Sequence, residues 1–222
     1  MYKIFENESD WKNFRKGMFT ASQIYRLLTG PTKKEKLEGE VLSKGAKTYI
    51  DECICDLIAE PEPDFYNAAM QRGNEIEPQA VRRFAEINNL DINDNDFIYT
   101  SIGGFVFFTD NSETYGGTPD IILKDAIVEI KCPNRVTHLQ YKRFKSAQDV
   151  KDNVENYYAQ MQLNMYLTEK PICYFMSFDD RFKKFEHQHH IVEVPRDDEY
   201  ILLILDKILE ASKLKFSLIN NL

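Results

Sequence analysis

The sequence predicts an α+β fold in which a mixed central β-sheet is flanked by helices. Apolar residues recur at helical spacing over residues 46–59 and 67–88, which is typical of amphipathic helices. β-branched and aliphatic runs bounded by turn residues occupy the middle of the chain and residues 172–178, which is typical of strands. No internal repeat, low-complexity tract or linker separates these patterns. We therefore expect one domain over residues 1–222, with helices covering a sheet.

Two short helices are predicted at the start of the chain. The first covers residues 8–16, with Ser9 or Asp10 as its N-cap and Gly17 as its stop signal. The second covers residues 20–28. The aromatic side chains of the first helix are expected to pack inward.

A polar connection and two longer helices follow. Residues 31–45 are rich in lysine and predict a mobile surface loop, with a DNA-contacting loop as the less favoured interpretation. The helices at 46–59 and 67–88 are separated by a Glu-Pro-Glu-Pro break at 60–63. Pro78 predicts a kink or a fresh start in the second helix, because proline is tolerated in a first turn.

The second half of the chain mixes strands and helices. Strands are predicted at 97–100, 104–109, 172–178 and 187–194, and helices at 137–147, 153–168 and 197–216. The last two strands are expected to form a hairpin through residues 179–184.

The centre of the chain is predicted to be a hairpin of two short apolar strands. With a two-residue turn, Ile122 lies opposite Ile127 and Asp120 lies opposite Glu129. Like charges in that position destabilise a sheet, and unpaired charges are almost never buried. Lys131 shares one strand face with Glu129. We therefore expect a divalent cation between the carboxylates and an ammonium group aimed at a water or a phosphate.

This cluster suits metal-assisted hydrolysis of a phosphodiester bond. Such chemistry needs carboxylates for Mg²⁺ or Mn²⁺, an oriented water, and positive charge near the scissile phosphate. The two hairpin carboxylates are the candidate ligands, and the Ile130 carbonyl could add an oxygen. Lys131 is the candidate for positioning the water and neutralising the phosphate. Because two ions need more oxygens, Glu77 or Glu75 is expected to supply another carboxylate.

The hairpin and three other motifs resemble a known family of nucleases. Pro-Asp followed by Glu-x-Lys is similar to the signature of the PD-(D/E)XK nuclease superfamily, whose core is an α/β/α restriction-endonuclease-like fold. The motif order resembles, more specifically, the phage lambda-type alkaline exonucleases, or YqaJ-like viral recombinases. The four elements are Trp11, Arg15, Gly17 and Thr20–Ser22; Gly73 to Glu77; Pro119–Asp120 with Glu129–Pro133; and Tyr157–Gln162. The resemblance extends from about residue 8 to the C-terminal helix.

The resemblance implies a specific activity and assembly. Such an enzyme depends on Mg²⁺, with two ions expected and Mn²⁺ as a substitute. It degrades one strand of linear double-stranded DNA from the 5′ end and leaves 3′ overhangs. It forms a homotrimeric ring threaded by DNA and works with a single-strand annealing protein. A source in a bacteriophage or prophage is also implied.

The same resemblance implies roles for individual residues. Glu77, Asp120 and Glu129 would bind metal, and Lys131 would be catalytic. Arg15, with Ser22 beside it, would bind the 5′-terminal phosphate, because a guanidinium group can grip phosphate with two hydrogen bonds.

The glutamine of the fourth motif has two candidates. Gln160 is favoured by alignment with the family and would orient the active-site water or phosphate. On a helix, Gln160 and Gln162 point about 200° apart, so only one can face the site. Gln162 shares its face with Tyr166, as in the Gln-x-x-x-Tyr motif of wider nuclease families, and is the second choice.

Composition excludes some other classes of protein. The net charge of −8 excludes a generally basic nucleic-acid coat, so any DNA contact must be local. The spacing of the four cysteines matches no zinc site. The iron–sulfur nucleases related to this superfamily need four cysteines, typically with a group near the C-terminus, and none lies in the last 49 residues here, so we expect no iron–sulfur cluster. No apolar run approaches the ~20 residues that span a bilayer. The N-terminus has no signal-peptide core, so a cytoplasmic protein is expected, in the host cell if the gene belongs to a phage.

Three histidines receive no role, and two other functions are alternatives. His187, His189 and His190 cluster near a strand, where two share a face that could bind metal, but surface positions are the more usual reading and no role is assigned. A restriction-like endonuclease on the same core is the alternative enzyme. A non-catalytic DNA-binding assembly protein is the alternative outside enzymes.

Overall fold

The structure, a computed structural model, describes residues 1–37, 39–60, 68–101 and 105–222. The prolines of the predicted helix break, Pro61 and Pro63, lie outside the described residues. So do the predicted starts of a helix at Asn67 and of a strand at Gly104.

Helices and strands are interspersed along the chain. The helices of the described residues are α1 (Glu8–Phe14), α2 (Tyr25–Leu28), α3 (Lys33–Leu37), α4 (Lys44–Ile58), α5 (Ala68–Asn88), α6 (Arg135–Tyr141), α7 (Ala147–Asn153), α8 (Glu155–Thr168) and α9 (Asp198–Ile219). The strands are β1 (Tyr2–Phe5), β2 (Phe19–Thr20), β3 (Phe97–Tyr99), β4 (Phe105–Thr109), β5 (Tyr115–Gly117), β6 (Ile121–Leu123), β7 (Ile127–Lys131), β8 (Ile172–Phe178) and β9 (His189–Pro195). Within the described ranges, no helix has the length and apolar character needed to cross a membrane.

The predicted mixed sheet is confirmed, and a second sheet accompanies it. The larger sheet has the order β3-β6-β7-β8-β9, in which β7 and β8 are parallel and the other neighbours are antiparallel. The smaller sheet has the order β1-β4-β5-β2. Its strands β1, β2 and β5 were not predicted, because two to four residues are too short for an alternating pattern.

Helices cover both faces of the larger sheet, which gives the expected three-layer arrangement. On one face, Val81 and Phe84 of α5 pack with Val128 and Ile130 of β7. On the other face, Ile127 packs in a core that includes buried residues of α4, α8 and α9. Full burial of an aliphatic side chain of this size stabilises the fold by roughly 1.5–3 kcal/mol. This two-sided burial makes β7 the centre of the molecule.

The central hairpin has the predicted register. Ile122 pairs with Ile127, and Ile121 pairs with Val128. The Asp120 N–H donates to the Val128 carbonyl at 3.1 Å, just before β6 begins. One further step in this register places Asp120 opposite Glu129, as the sequence predicts.

Helix ends differ from the predictions where side-chain caps set them. The N-cap of α1 is Asn7, not Ser9 or Asp10 as predicted, because its side chain accepts from the Asp10 N–H at 2.9 Å. The predicted loop at 31–45 contains α3. Thr32 and Glu35 start that helix by exchanging hydrogen bonds between side chain and backbone, at 2.6 and 3.3 Å.

Three other predicted helices are divided or joined differently. The predicted helix at 137–147 is confirmed over 137–141 and wrong beyond, because α6 ends at Tyr141 and a capping box between Ser146 and Asp149 begins α7. The predicted helix at 20–28 is replaced by β2, a 3-10 turn at Ala21–Gln23 and α2. Pro78 starts no new helix, since it lies inside α5.

Candidate active site

Strand β7 and helix α8 bring three polar side chains together at the centre of the fold. Glu129 is only 1% exposed. Its Oε1 accepts hydrogen bonds from Lys131 Nζ and from Gln160 Nε2, each at 2.7 Å. Lys131 Nζ also lies 3.4 Å from Gln160 Oε1. The three form a closed triangle of donors and acceptors.

Asp120 joins this group through the backbone of β7. Its Oδ2 accepts from the Ile130 N–H at 2.5 Å. The hairpin register thus holds the carboxyl group of Asp120 beside that of Glu129, although β6 begins only at Ile121. Ile130 contributes its N–H to the described contacts of the site.

Helix α5 supplies Glu77 rather than Glu75. Glu77 is half-buried, and its Oε1 accepts from the Tyr99 hydroxyl at 3.0 Å. Glu75 is exposed and accepts from Gln71 Nε2, one turn earlier on the same helix. Tyr99 was not among the predicted site residues, because a tyrosine in a short strand carries no local signal for such a contact.

The electrostatics of the site are those of crowded, dehydrated carboxylates. Burial raises the pKa of Asp120 well above its usual range, and the charges of Glu129 and Glu77 raise it further. Burial also raises the pKa of Glu77, with a smaller contribution from Glu129. For Lys131, burial acts to lower the pKa, but Glu129 and Asp120 outweigh it and the pKa is raised. A nearby cation would therefore stabilise the ionised forms of these carboxylates.

The donor set fits a hard divalent cation. Carboxylate oxygens are the ligands that Mg²⁺ and Mn²⁺ prefer. Glu129 Oε2 is buried and has no hydrogen-bond partner among the described residues. No group of three or more His, Cys, Asp or Glu side chains in the described ranges is arranged as a metal cage. Protein donors from Lys131, Tyr99 and the Ile130 N–H instead contact the carboxylates.

Two of these carboxylates, Glu77 and Asp120, line one cavity together with the candidate phosphate-binding residues. It has a volume of about 190 Å³, and its lining includes Arg15, Ser22, Glu77, Asp120 and Gln160. Elements far apart in the sequence therefore meet around one space large enough for a phosphate group and waters.

Arg15 and Ser22 lie at the side of this cavity formed by α1 and the 3-10 turn. The Arg15 guanidinium stacks over the Trp11 ring, 4.0 Å from its centre. Ser22 Oγ lies 3.4 Å from Thr20 Oγ1, and both residues line the cavity. Thr118 lines it as well. Thr118 was not predicted as a site residue, although a hydroxyl directly before Pro119-Asp120 is a signal that could have indicated it.

Gln162 and Tyr166 point away from the carboxylates. Gln162 Nε2 donates to the Pro195 carbonyl at 3.0 Å, and its Oε1 accepts from the Asp197 N–H at 2.8 Å. Tyr166 lies beside Arg196, whose guanidinium is 5.7 Å from the ring centre. Both side chains of α8 therefore lie against the connection between β9 and α9. The rotation of α8 brings Gln160 to the site instead.

Neither the histidines nor the cysteines are among the residues that line this cavity. The His187 carbonyl accepts from His138 Nε2 at 2.9 Å, so Nδ1 of that ring accepts from the Ser177 hydroxyl at 2.7 Å. His190 Nε2 lies 2.7 Å from the Phe144 carbonyl, and the His189 ring packs on Phe185. All four cysteines are free thiols, two of them buried.

Comparisons with known proteins identify a family and similar solved structures. The family model of the YqaJ-like viral recombinase domain matches residues 10–171, more than half of the chain. The alkaline exonuclease LHK-Exo from Laribacter hongkongensis is 27% identical, with 96% of this chain and 95% of that chain covered and a TM-score of 0.73. LHK-Exo in complex with dAMP gives 26%, the same coverage and a TM-score of 0.74.

A phage-related exonuclease from Haemophilus somnus 129PT shares the fold at 19% identity. The match covers 92% of this chain and 96% of that chain, with a TM-score of 0.68. A comparison with curated protein sequences found no match.

Proposed function

The chain belongs to the YqaJ-like viral recombinase family, and on that basis we propose that it is a metal-dependent 5′-to-3′ exonuclease acting on linear double-stranded DNA. The family and the similarity to alkaline exonucleases establish a nuclease-type protein. The polarity, the 3′ overhangs and the dependence on Mg²⁺ are the proposal. A nuclease domain over residues 1–222 would carry the whole activity.

One observation carries the proposal. Arg15 and Ser22 line the same cavity of about 190 Å³ as Glu77, Asp120 and Gln160. A cationic group beside a phosphodiester-cleaving centre suits recognition of a terminal phosphate close to the bond that is cut. The similar enzyme LHK-Exo has been solved with dAMP, a nucleoside monophosphate, which is the class of product that an exonuclease releases.

Glu77, Asp120 and Glu129 would hold the divalent cation, with the Ile130 carbonyl as a further oxygen. We propose Mg²⁺, with two ions and with Mn²⁺ as a substitute. When bound, the metal would supply Lewis acidity at the scissile phosphate. The pKa values of Asp120 and Glu77 are raised, so their ionised forms are destabilised where they lie. A bound cation would favour the ionised forms, which supports this assignment.

Lys131 and Gln160 would act on the water and the phosphate. The raised pKa of Lys131 keeps its ammonium group protonated at neutral and alkaline pH, so it donates hydrogen bonds and offsets phosphate charge rather than acting as a base. Gln160 donates to Glu129 and lies within reach of Lys131, so it holds both side chains in one orientation.

Arg15 would bind the 5′-terminal phosphate. A guanidinium group presents parallel N–H donors that match two phosphate oxygens. The Trp11 ring packs against one side of that group. Ser22 and its neighbour Thr20 offer hydroxyl donors at the same cavity. This arrangement would set the polarity, because the bound end determines which bond reaches the carboxylates.

The biological setting is proposed from the family. A homotrimeric ring would keep a protein of net charge −8 on an acidic polymer by encirclement, with local basic side chains facing the DNA. A single-strand annealing protein would use the 3′ overhangs for recombination. The working compartment would be the cytoplasm, in the host cell for a phage-encoded copy.

Digestion of end-labelled DNA tests the proposal. Linear duplex labelled at the 5′ or 3′ end, with and without a 5′ phosphate, is incubated with the protein and Mg²⁺. We expect early release of the 5′ label as mononucleotide and faster digestion of phosphorylated ends. Release of the 3′ label first would contradict the polarity. Cleavage of closed circular duplex would instead support an endonuclease.

A further inference from the structure

Asp179, directly after β8, is completely buried and forms ion pairs that the proposed chemistry does not use. Its Oδ1 accepts from Arg181 Nε at 2.7 Å and from Arg72 Nη2 at 3.1 Å. Its Oδ2 accepts from Arg181 Nη2 at 2.8 Å. Despite the burial, which acts to raise it, the pKa of Asp179 is lowered by the hydrogen bonds and charge of Arg181. The carboxylate is therefore held ionised inside the fold.

The two arginines connect Asp179 to the two elements that carry candidate metal ligands, α5 and β7. Arg72 belongs to α5, five residues before Glu77 on the same helix. Arg181 Nη2 also donates to the carbonyl of Pro133 at 3.3 Å, and Pro133 follows Lys131 by two residues. One buried carboxylate thus connects the helix of Glu77 to the exit of β7.

The carboxylates of the site need such a connection for a physical reason. The hairpin register holds Asp120 beside Glu129 through backbone hydrogen bonds. Glu77 comes from a helix that packs on the sheet through apolar side chains such as Phe84. Apolar packing has no preferred direction, and the carboxylates repel one another. Charge-assisted hydrogen bonds are directional and can fix the helix against that repulsion.

We propose that Asp179 is a positioning residue for the metal site, which holds Glu77 of α5 in place against Asp120 and Glu129 of the central hairpin. This inference rests on the proposed function, since it assigns those carboxylates to a divalent cation. Asp179 touches neither metal nor DNA in this role. It acts through Arg72 on α5 and through Arg181 on the exit of β7.

The test is the affinity of the full-length protein for Mn²⁺, measured by titration calorimetry in the absence of DNA. We expect Asp179→Asn to weaken Mn²⁺ binding by about tenfold or more, the range found for residues that orient metal ligands. Nuclease activity at saturating Mn²⁺ should recover most of the wild-type rate, because the ligands themselves are intact.

A second variant and a matched control separate positioning from general stability. Arg72 is partly exposed, and its guanidinium contacts Asp180 at 2.5 Å as well as Asp179 at 3.1 Å. Arg72→Gln removes both of these ion pairs of α5 and leaves the contacts of Arg181 in place, so it provides the test even if Asp179→Asn does not fold. We expect it to weaken Mn²⁺ binding in the same direction. Asp197→Asn removes one ion pair, with Lys151, and the charged acceptor of the Tyr158 hydroxyl at the start of α9. It should lower the thermal midpoint and leave Mn²⁺ affinity unchanged.

A double-variant comparison tests the route through Glu77. If Arg72 acts on the metal through Glu77, Arg72→Gln should cost little further affinity in a Glu77→Gln background. A full additional loss there, or unchanged affinity in both Asp179→Asn and Arg72→Gln, overturns the positioning role while leaving the proposed function intact. A wild-type protein that neither binds Mn²⁺ nor cleaves DNA overturns both.

Discussion

Gln160 Nε2 lies 2.7 Å from Glu129 Oε1, the same carboxylate oxygen that accepts a hydrogen bond from Lys131. The contact joins residues 31 positions apart, on α8 and β7. It orients a carboxylate whose other oxygen, Oε2, is buried and has no hydrogen-bond partner among the described residues. The glutamine amide thus fixes which oxygen of Glu129 remains available to a ligand.

Replacement of Gln160 should therefore affect catalysis more than folding. We expect Gln160→Leu to lower kcat by about 10²-fold, as loss of one preorganised hydrogen bond in an active site does. Gln162→Leu is the matched control two residues away. It breaks buried bonds to Pro195 and Asp197, so it should lower the free energy of unfolding by about 1–3 kcal/mol and leave kcat near wild type. Single-turnover digestion and chemical denaturation distinguish them, and equal loss of kcat in both would contradict the assignment.

The buried carboxyl of Asp120 should make the metal-free protein less stable at high pH. Its pKa is raised in the folded state, chiefly by burial and then by Glu129 and Glu77. The folded state therefore holds the proton more tightly than the unfolded state, whose pKa is about 3.9. The resulting stability is present at low pH and is lost as pH rises through the folded-state pKa.

Asp120→Asn tests this linkage and the metal site together. In EDTA at pH 8 the variant should melt above wild type, with about 2–4 °C for each kcal/mol gained. Adding Mg²⁺ should raise the midpoint of wild type and have a much smaller effect on the variant. Melting curves by circular dichroism at pH 5 and pH 8 provide the measurement. A variant that melts below wild type at pH 8 in EDTA would show that Asp120 is not electrostatically destabilising.

The ammonium group of Lys131 should be needed for cleavage across a wide pH range. Its pKa is raised by Glu129 and Asp120, which outweigh the effect of burial, so the group stays charged well above neutral pH. We expect Lys131→Ala to lower the cleavage rate by about 10²- to 10³-fold. The wild-type rate should not fall between pH 8 and pH 10 through loss of this proton. Unchanged activity in Lys131→Ala would rule out the proposed mechanism.

Arg15 should determine the preference for phosphorylated ends. A hydrogen bond to a charged group contributes about 1.5–3 kcal/mol, so Arg15→Ala should reduce the preference for 5′-phosphate over 5′-hydroxyl ends by roughly 10- to 150-fold. Digestion of 5′-hydroxyl ends should change little. Arg15→Lys keeps the charge but loses the planar pair of donors, and it should restore only part of the preference. The competition between the two ends in one reaction measures the ratio directly, and a retained preference in Arg15→Ala would assign the phosphate site elsewhere.

Local sequence was sufficient to predict the central hairpin. A two-residue turn sets the register of its strands, so the pairing of Ile122 with Ile127 follows from neighbouring residues alone. The long helices were equally visible, because their apolar period extends over many residues. The capping of α3 by Thr32 and Glu35 was also present in the sequence, but the lysine-rich composition was given more weight. The short strands of the second sheet depend on distant partners and offered no comparable signal.

The sequence predicted which residues were candidates for the site, whereas packing decided which of them reach it. Helical period shows that Gln160 and Gln162 point in different directions, but the rotation of α8 against β7 decides which one reaches Glu129. The docking of α5 on the sheet likewise directs Glu77, and not Glu75, to Tyr99. Asp179 meets Arg72 across 107 positions. Such contacts depend on the absolute orientation of whole elements, which only the complete core determines.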